Sequence, residues 1–198
     1  DLAAALAGTI NYTGNVTVTD NAYTIAELVA INAGTTGEIA LTSAGVALSG
    51  TVADIKSAFA GTVTEHTGTL EITDANTTDI TATHITDING TNTGTITVTN
   101  AIDINGSGSE VKAAFDAIDT NTGNATANIT GTDYTVAQLK AINNATTGAI
   151  VLATSTSEAL SGDGTDLAAA LAGTINYTGN VTVTDNAYTI AELVAINA

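Results

Sequence analysis

The chain has 198 residues, 44% of them hydrophobic, and a formal net charge of −17, with 20 acidic side chains against three lysines and no Pro, Cys, Met or Trp. The length and apolar share are enough to bury a core. The lack of cysteine excludes disulfides and thiolate metal sites, no apolar run reaches the roughly 18 residues of a membrane-spanning helix, and so acidic a surface is a poor partner for the phosphates of nucleic acid.

Residues 1–33, DLAAALAGTINYTGNVTVTDNAYTIAELVAINA, return without substitution as residues 166–198, a period of 165. Within that period a shorter phrase recurs: Gly, any residue, apolar, any residue, apolar. It stands at Gly14, Gly37, Gly68, Gly94, Gly123 and Gly148 and returns at Gly179. The successive spacings are 23, 31, 26, 29, 25 and 31, with a mean of 27.5. Alternation with period two in segments rich in Val, Ile, Leu and Thr predicts strands.

Two kinds of helical segment alternate between the phrases. The first reads YTIAELVAIN from Tyr23, ITATHITDIN from Ile80 and YTVAQLKAIN from Tyr134. Apolar residues fall at helical spacing, and Thr24 with Glu27 and Thr135 with Gln138 fit a capping box. The second kind reads TVADIKSAFAG from Thr51, SGSEVKAAFDA from Ser107 and DGTDLAAALAG from Asp163, with a hydroxyl or carboxylate and an acidic residue three apart at each start. Gly61 and Gly173 are placed as helix stops, where glycine enters the left-handed region at low cost.

Each short period therefore reads strand, loop, short helix, loop. Helices of about two turns are marginal alone, and one strand–helix unit cannot bury its own apolar face. Stacking successive units solves both problems. The expected fold class is α/β, a right-handed solenoid of such coils with one continuous parallel sheet, in which residues 1–165 form a six-coil unit and 166–198 begin the next. The strands at Val16, Ile39, Leu70, Ile96, Ala125 and Ile150 are expected to stack in that order. The alternative is a string of β-sandwich modules.

Little in the chain suggests catalysis. His66 and His84, the two histidines, have no neighbours in sequence that make a triad or a two-histidine metal site. Asp, Asn and Gly cluster in loops and offer the hard oxygen ligands that Ca²⁺ takes. Asp87, Asp103, Asp163 and Asp166 are the calcium candidates; the competing reading is that Asp163 and Asp166 cap a helix and the others make turns. Outward threonine pairs at Thr17/Thr19 and Thr97/Thr99 raise an ice-binding ladder as a further possibility, interrupted by Glu71 and Val151 at the matching positions of other phrases.

In plan the coils resemble leucine-rich repeats, whose periods overlap 27.5, although the LxxLxLxxN consensus is missing. Gly162, Gly164 and Asp166 stand where the hemolysin-type calcium nonapeptide has Gly, Gly and Asp, with Ser161 in place of its first Gly. As a whole, with 40 threonines, the chain resembles the giant Thr/Asp/Gly-rich repetitive surface proteins of bacteria. That resemblance implies a secreted, non-enzymatic polymer at the cell surface: a fibre, surface layer or adhesin stalk. It would self-associate through further copies, with no nucleic-acid partner and no membrane insertion.

Overall fold

A computed structural model describes residues 2–8, 12–153, 158–175 and 177–197. Among these the chain is mixed α/β, and in order its elements are α1 (Leu2–Leu6), β1 (Val16–Val18), α2 (Ile25–Gly34), β2 (Ile39–Leu41), β3 (Leu48–Gly50), α3 (Val52–Ala58), β4 (Leu70–Ile72), β5 (Asp79–Thr81), α4 (Ala82–Asn89), β6 (Ile96–Val98) and β7 (Asp103–Gly106). Then come α5 (Gly108–Ala117), β8 (Thr120–Asn121), β9 (Thr126–Ile129), α6 (Val136–Ala145), β10 (Ile150–Leu152), β11 (Leu160–Gly162), α7 (Gly164–Leu171), β12 (Thr174–Ile175), β13 (Val181–Val183) and α8 (Ile190–Ile196). The repeat boundary at Asp166 falls inside α7.

The helix starts are built as their sequences require. Thr24 and Thr135 each accept the backbone N–H three residues on, while Glu27 and Gln138 return a bond to the cap backbone. Such a box satisfies two N–H groups that the helix itself cannot. Thr51 and Asp163 cap α3 and α7, and the Ser107 N–H donates to Glu110 Oε2 at 2.8 Å at the start of α5. Gly61 takes φ +80° as expected. Gly173 does not enter the left-handed region, because the chain leads straight into β12, which pairs with β10.

The chain forms two compact units. One comprises Asp1–Asp74, His84–Thr99 and Ile118–Thr122; the other comprises Ala75–Thr83, Asn100–Ala117 and Gly123–Ala198. The first contains a two-stranded sheet, β1-β2, and a four-stranded sheet, β3-β4-β6-β8. The second contains a five-stranded sheet, β12-β10-β9-β7-β5, and a two-stranded sheet, β11-β13. Every strand pair among the described residues is parallel, unlike the antiparallel pairing of β-sandwich modules.

The single continuous sheet expected from the phrases is not formed. Phrases pair across the short intervals, Val16 with Ile39 and Leu70 with Ile96, but not across the long ones. The shortest register step between named strands runs from Leu160 to Val181 and the longest from Leu70 to Ile96. The phrase spacings of 29 and 31 exceed that longest step, so a different segment comes opposite. Leu48 of β3, not Ile39, lies beside Leu70; Ile104 of β7, not Ile96, lies beside Ala127; and Leu160 of β11 lies beside Val181. The phrase at Gly123 is also displaced: Ala127, not Ala125, faces Ile150, and Ile129 faces Leu152. A slip of two residues keeps the same face inward and exchanges a small core residue for Ile129, which is 1% exposed.

The phrase glycine has a steric reason. A Cβ on Gly37, Gly68, Gly94 or Gly148 would lie 2.0–2.4 Å from a carbonyl oxygen of the adjacent turn, the shortest being Gly94 against Gly68. The chain thus approaches itself at each of these turns more closely than any side chain permits. The inward residues between these turns form the core: Leu70, Ile72, Ile96 and Val98 in the first unit and Ile104, Ala127 and Ile150 in the second are fully buried.

Candidate functional site

Of the four aspartates singled out from the sequence, Asp87 lies in the first unit and Asp103, Asp163 and Asp166 in the second, with Asp163 and Asp166 together at the start of α7. Asp87, on α4, accepts from Lys56 Nζ at 2.9 Å, and this hydrogen bond holds its carboxyl below the usual carboxylate range. Asp166 pairs with Lys140, whose ammonium is raised above its ordinary pKa chiefly by that bond. Asp163 is the cap of α7 and accepts from the Asp166 N–H at 2.8 Å. Asp103 lies in β7 beside Asp79 of β5, and Asn105 Nδ2 donates to Asp79 Oδ1 at 3.0 Å. Ca²⁺ takes six to eight oxygen ligands; among the described residues no three His, Asp or Glu side chains gather around a common point.

Other acidic residues show why the chain carries so many. Asp74 Oδ2 accepts from the Val52 N–H at the first turn of α3, 2.7 Å, and Asp185 Oδ1 from the Gly164 N–H at the first turn of α7, 3.2 Å. Glu192 Oε1 accepts from the Thr165 hydroxyl at 2.6 Å, which holds its carboxyl low. A fold with many short helices has many unsatisfied N-terminal N–H groups and positive dipole ends, and carboxylates suit both.

The repeated phrase begins two residues before its glycine. Each phrase glycine is preceded by Thr, and that Thr by Tyr12, Thr35, His66, Asn92, Asn121, Thr146 or Tyr177. Several of these side chains are buried and brace the turn. Thr35 Oγ1 donates to the Gly14 carbonyl at 2.9 Å and accepts from the Gly37 N–H at 3.0 Å; Thr146 does the same with the Ala125 carbonyl and the Gly148 N–H, at 2.6 and 2.9 Å. His66 holds this position in its own turn. It is 0% exposed, with Nδ1 2.9 Å from Asn92 Oδ1, Nε2 2.7 Å from the Val46 carbonyl, and the Phe59 ring at 5.6 Å. It is a bracing side chain among backbone and amide oxygens, and its two ring nitrogens are taken up by them. His84 is the third residue of α4, matching Glu27 in α2.

The threonine rows are set by the observed register. Thr17 lies beside Ala40. Thr97 lies between Glu71 and Thr120, and Thr99 donates to Glu71 Oε1 at 3.1 Å. A groove of about 380 Å³ in the first unit is lined by Leu2, Val18, Asp20, Tyr23, Glu27 and Ile31 among others. No helix among the described residues is long and apolar enough to cross a membrane.

The two copies of the repeated 33 residues differ in exposure. Tyr188, Ile190, Leu193 and Val194 are 50, 82, 40 and 65% exposed. Tyr23, Ile25 and Leu28, the counterparts of the first three in the identical first copy, are 3, 4 and 0% exposed. No family model, curated protein or solved structure matches the chain.

Proposed function

We propose that the chain is part of the repeating body of a secreted structural polymer at a bacterial cell surface: a fibre, a surface layer or an adhesin stalk, and not an enzyme. In this reading its architecture is a right-handed α/β solenoid extended by further copies of the 165-residue unit, without nucleic-acid partners and without membrane insertion. The observation that carries the reading is the register. Parallel strands recur at steps between that of Leu160 to Val181 and that of Leu70 to Ile96, with helices in the intervening chain, and the sequence that begins the chain begins again at residue 166. Strand–helix–strand connections of this kind are right-handed almost without exception, and identical units add without a natural stop.

The polar side chains support a structural role as well. Asp74, Asp163, Asp185 and Glu192 cap helices or receive backbone N–H groups, and Asp87 and Asp166 pair with lysine. An ice- or ligand-binding face is the second reading, favoured by Thr97 beside Thr120 and by the Thr69–Thr95 hydroxyl contact of 2.9 Å. Glu71 and Ala40 interrupt its rows. Immunogold labelling of the source cells with antibody to this chain tests the main reading. Labelled surface filaments or a labelled surface coat are expected; label confined to the cell interior contradicts it.

A further inference from the structure

A neutral imidazole at His66 has one proton too few for its surroundings. Both ring nitrogens face oxygen atoms that can only accept: Nε2 lies 2.7 Å from the Val46 carbonyl and Nδ1 lies 2.9 Å from Asn92 Oδ1. The Asn92 amide is oriented by its own turn. Its Oδ1 accepts from the Gly94 N–H at 3.1 Å, and its Nδ2 donates to the Gly94 carbonyl at 2.8 Å. Turning the amide over would set N–H against N–H and oxygen against oxygen at Gly94. A neutral imidazole offers one N–H and one lone pair, whereas the imidazolium offers two N–H groups. In either neutral tautomer, one of the two short contacts is therefore lone pair against lone pair, at a ring that is 0% exposed.

We propose that His66 is held as the imidazolium in the folded chain at neutral pH, so that its second proton is a structural ligand of the turn and the turn loosens when that proton is lost. The assignment stands on the geometry of the first unit alone, whatever the chain's role. Three features favour the charged ring against the cost of burying it. Two charge-assisted hydrogen bonds replace one neutral bond and one repulsive contact. The Phe59 ring lies 5.6 Å away, centroid to centroid, within the roughly 6 Å over which an aromatic ring attracts a cation. The chain carries a formal net charge of −17, and the field of so acidic a molecule favours a cation. Segments 43–47 and 91–94, which hold the ring nitrogens, carry no titratable side chain. Helices α3 and α4 carry Asp54, Lys56, His84 and Asp87, of which Lys56 and Asp87 pair with each other, and Glu38 and Glu65 on the adjoining turns are exposed. A ring that binds its second proton more firmly folded than unfolded adds stability below the unfolded value of about 6.5. That stability is lost as pH rises through the folded value.

Nitrogen-15 NMR of the full chain, labelled in histidine, tests this. His84→Gln leaves His66 as the one histidine signal, and the exchange suits the helix, since α6 has Gln138 at the matching position. At about pH 7.5, one unit above the ordinary histidine value, a ring of ordinary affinity is about one-tenth protonated; the same chain in urea supplies that reference. In the folded chain both ring nitrogens are expected to carry protons in more than half of the molecules, at least fivefold above the urea reference. A folded ring that is mostly a single neutral tautomer overturns the proposal. Raising pH from about 6 to about 8.5, across the ordinary histidine value, is expected to lower the urea midpoint of this chain. It is expected to leave unchanged that of a chain with His66→Asn as well, Asn being the residue of the next turn. An equal response in both chains also overturns the proposal, and the NMR result decides it whether or not the second variant folds.

Discussion

Identical residues in two environments allow burial to be measured with sequence held constant. Ile25 and Ile190 are each the first residue of the same seven-residue stretch, IAELVAI, and are 4% and 82% exposed. Ile→Ala removes three carbons. At about 0.8 kcal/mol per buried methylene-sized group this is about 2.4 kcal/mol of lost burial at Ile25. The vacancy beside Gly50, which Ile25 lies against, brings the expected loss to about 3 kcal/mol, within the 2–5 kcal/mol typical of such changes. At Ile190 about a fifth of the transfer term applies, about 0.5 kcal/mol, and the better helix propensity of Ala returns about as much. The expected outcome is therefore about 3 kcal/mol against about zero for one chemical change in one local sequence. Urea unfolding followed by circular dichroism, at protein concentrations low enough to keep chains separate, reads the difference. Equal shifts for the two variants would refute the argument that residues 34 onward cover the first copy of the repeated 33 residues and leave the second open.

Gly94→Ala places a Cβ 2.0 Å from the Gly68 carbonyl oxygen; a loss of about 1–3 kcal/mol or more is expected from forced backbone shifts, read by the same unfolding assay. Apart from the contribution of His66, stability is expected to be flat between about pH 5 and pH 9 and to fall on both sides. The lowered carboxyls of Asp87, Glu110 and Glu192 contribute above their unfolded values, and that contribution is lost as pH falls through the folded values, below about 4. Burial raises Tyr23, Tyr134 and Tyr177, so stability is present below their unfolded value of 10.0 and declines as pH rises through the folded values. The sign is that of a buried phenol, which resists ionisation in the fold and ionises freely in the unfolded chain. The profile is measured by thermal melting in about 0.5 M NaCl, where a screening length of about 4 Å suppresses self-repulsion. Millimolar Ca²⁺ against chelator is expected to leave the melting temperature unchanged, since Lys56 and Lys140 hold Asp87 and Asp166; a rise of several degrees contradicts that assignment.

Helix starts are legible in the sequence because their signals are local. Thr24 with Glu27 and Thr135 with Gln138 carry hydroxyl and carboxylate or amide at the spacing a helix turn brings together, and no distant residue decides the outcome. Inward faces are legible for the same reason, since alternation fixes them. Strand partners are not, because a parallel ladder depends on which distant segment comes alongside. The phrase spacings of 29 and 31 are the available signal that one sheet cannot run through every phrase. Strands β3 and β11 also have a signal, since ALSG occurs identically at 47–50 and 159–162. His66 looks like an isolated loop histidine when the phrase is cut at its glycine; aligned two residues earlier, it falls with Thr35, Asn92 and Thr146. Asp87 and Asp166 are legible as acidic positions, but their lysine partners, Lys56 and Lys140, are 31 and 26 residues distant in sequence.

The repeat as a stacking unit is tested most directly by the length added per unit. Chains of one, two and three 165-residue units, each ending in residues 166–198, are compared by small-angle X-ray scattering at low concentration. Register steps between that of Leu160 to Val181 and that of Leu70 to Ile96 place about seven strand steps in 165 residues, and at about 4.8 Å per step the maximum dimension is predicted to grow by roughly 34 Å for each unit added, at constant cross-section. Separate globular domains of 165 residues, with a radius of gyration near 15 Å, would instead add about 40 Å or more per unit, and an increment of that size contradicts the stacked repeat.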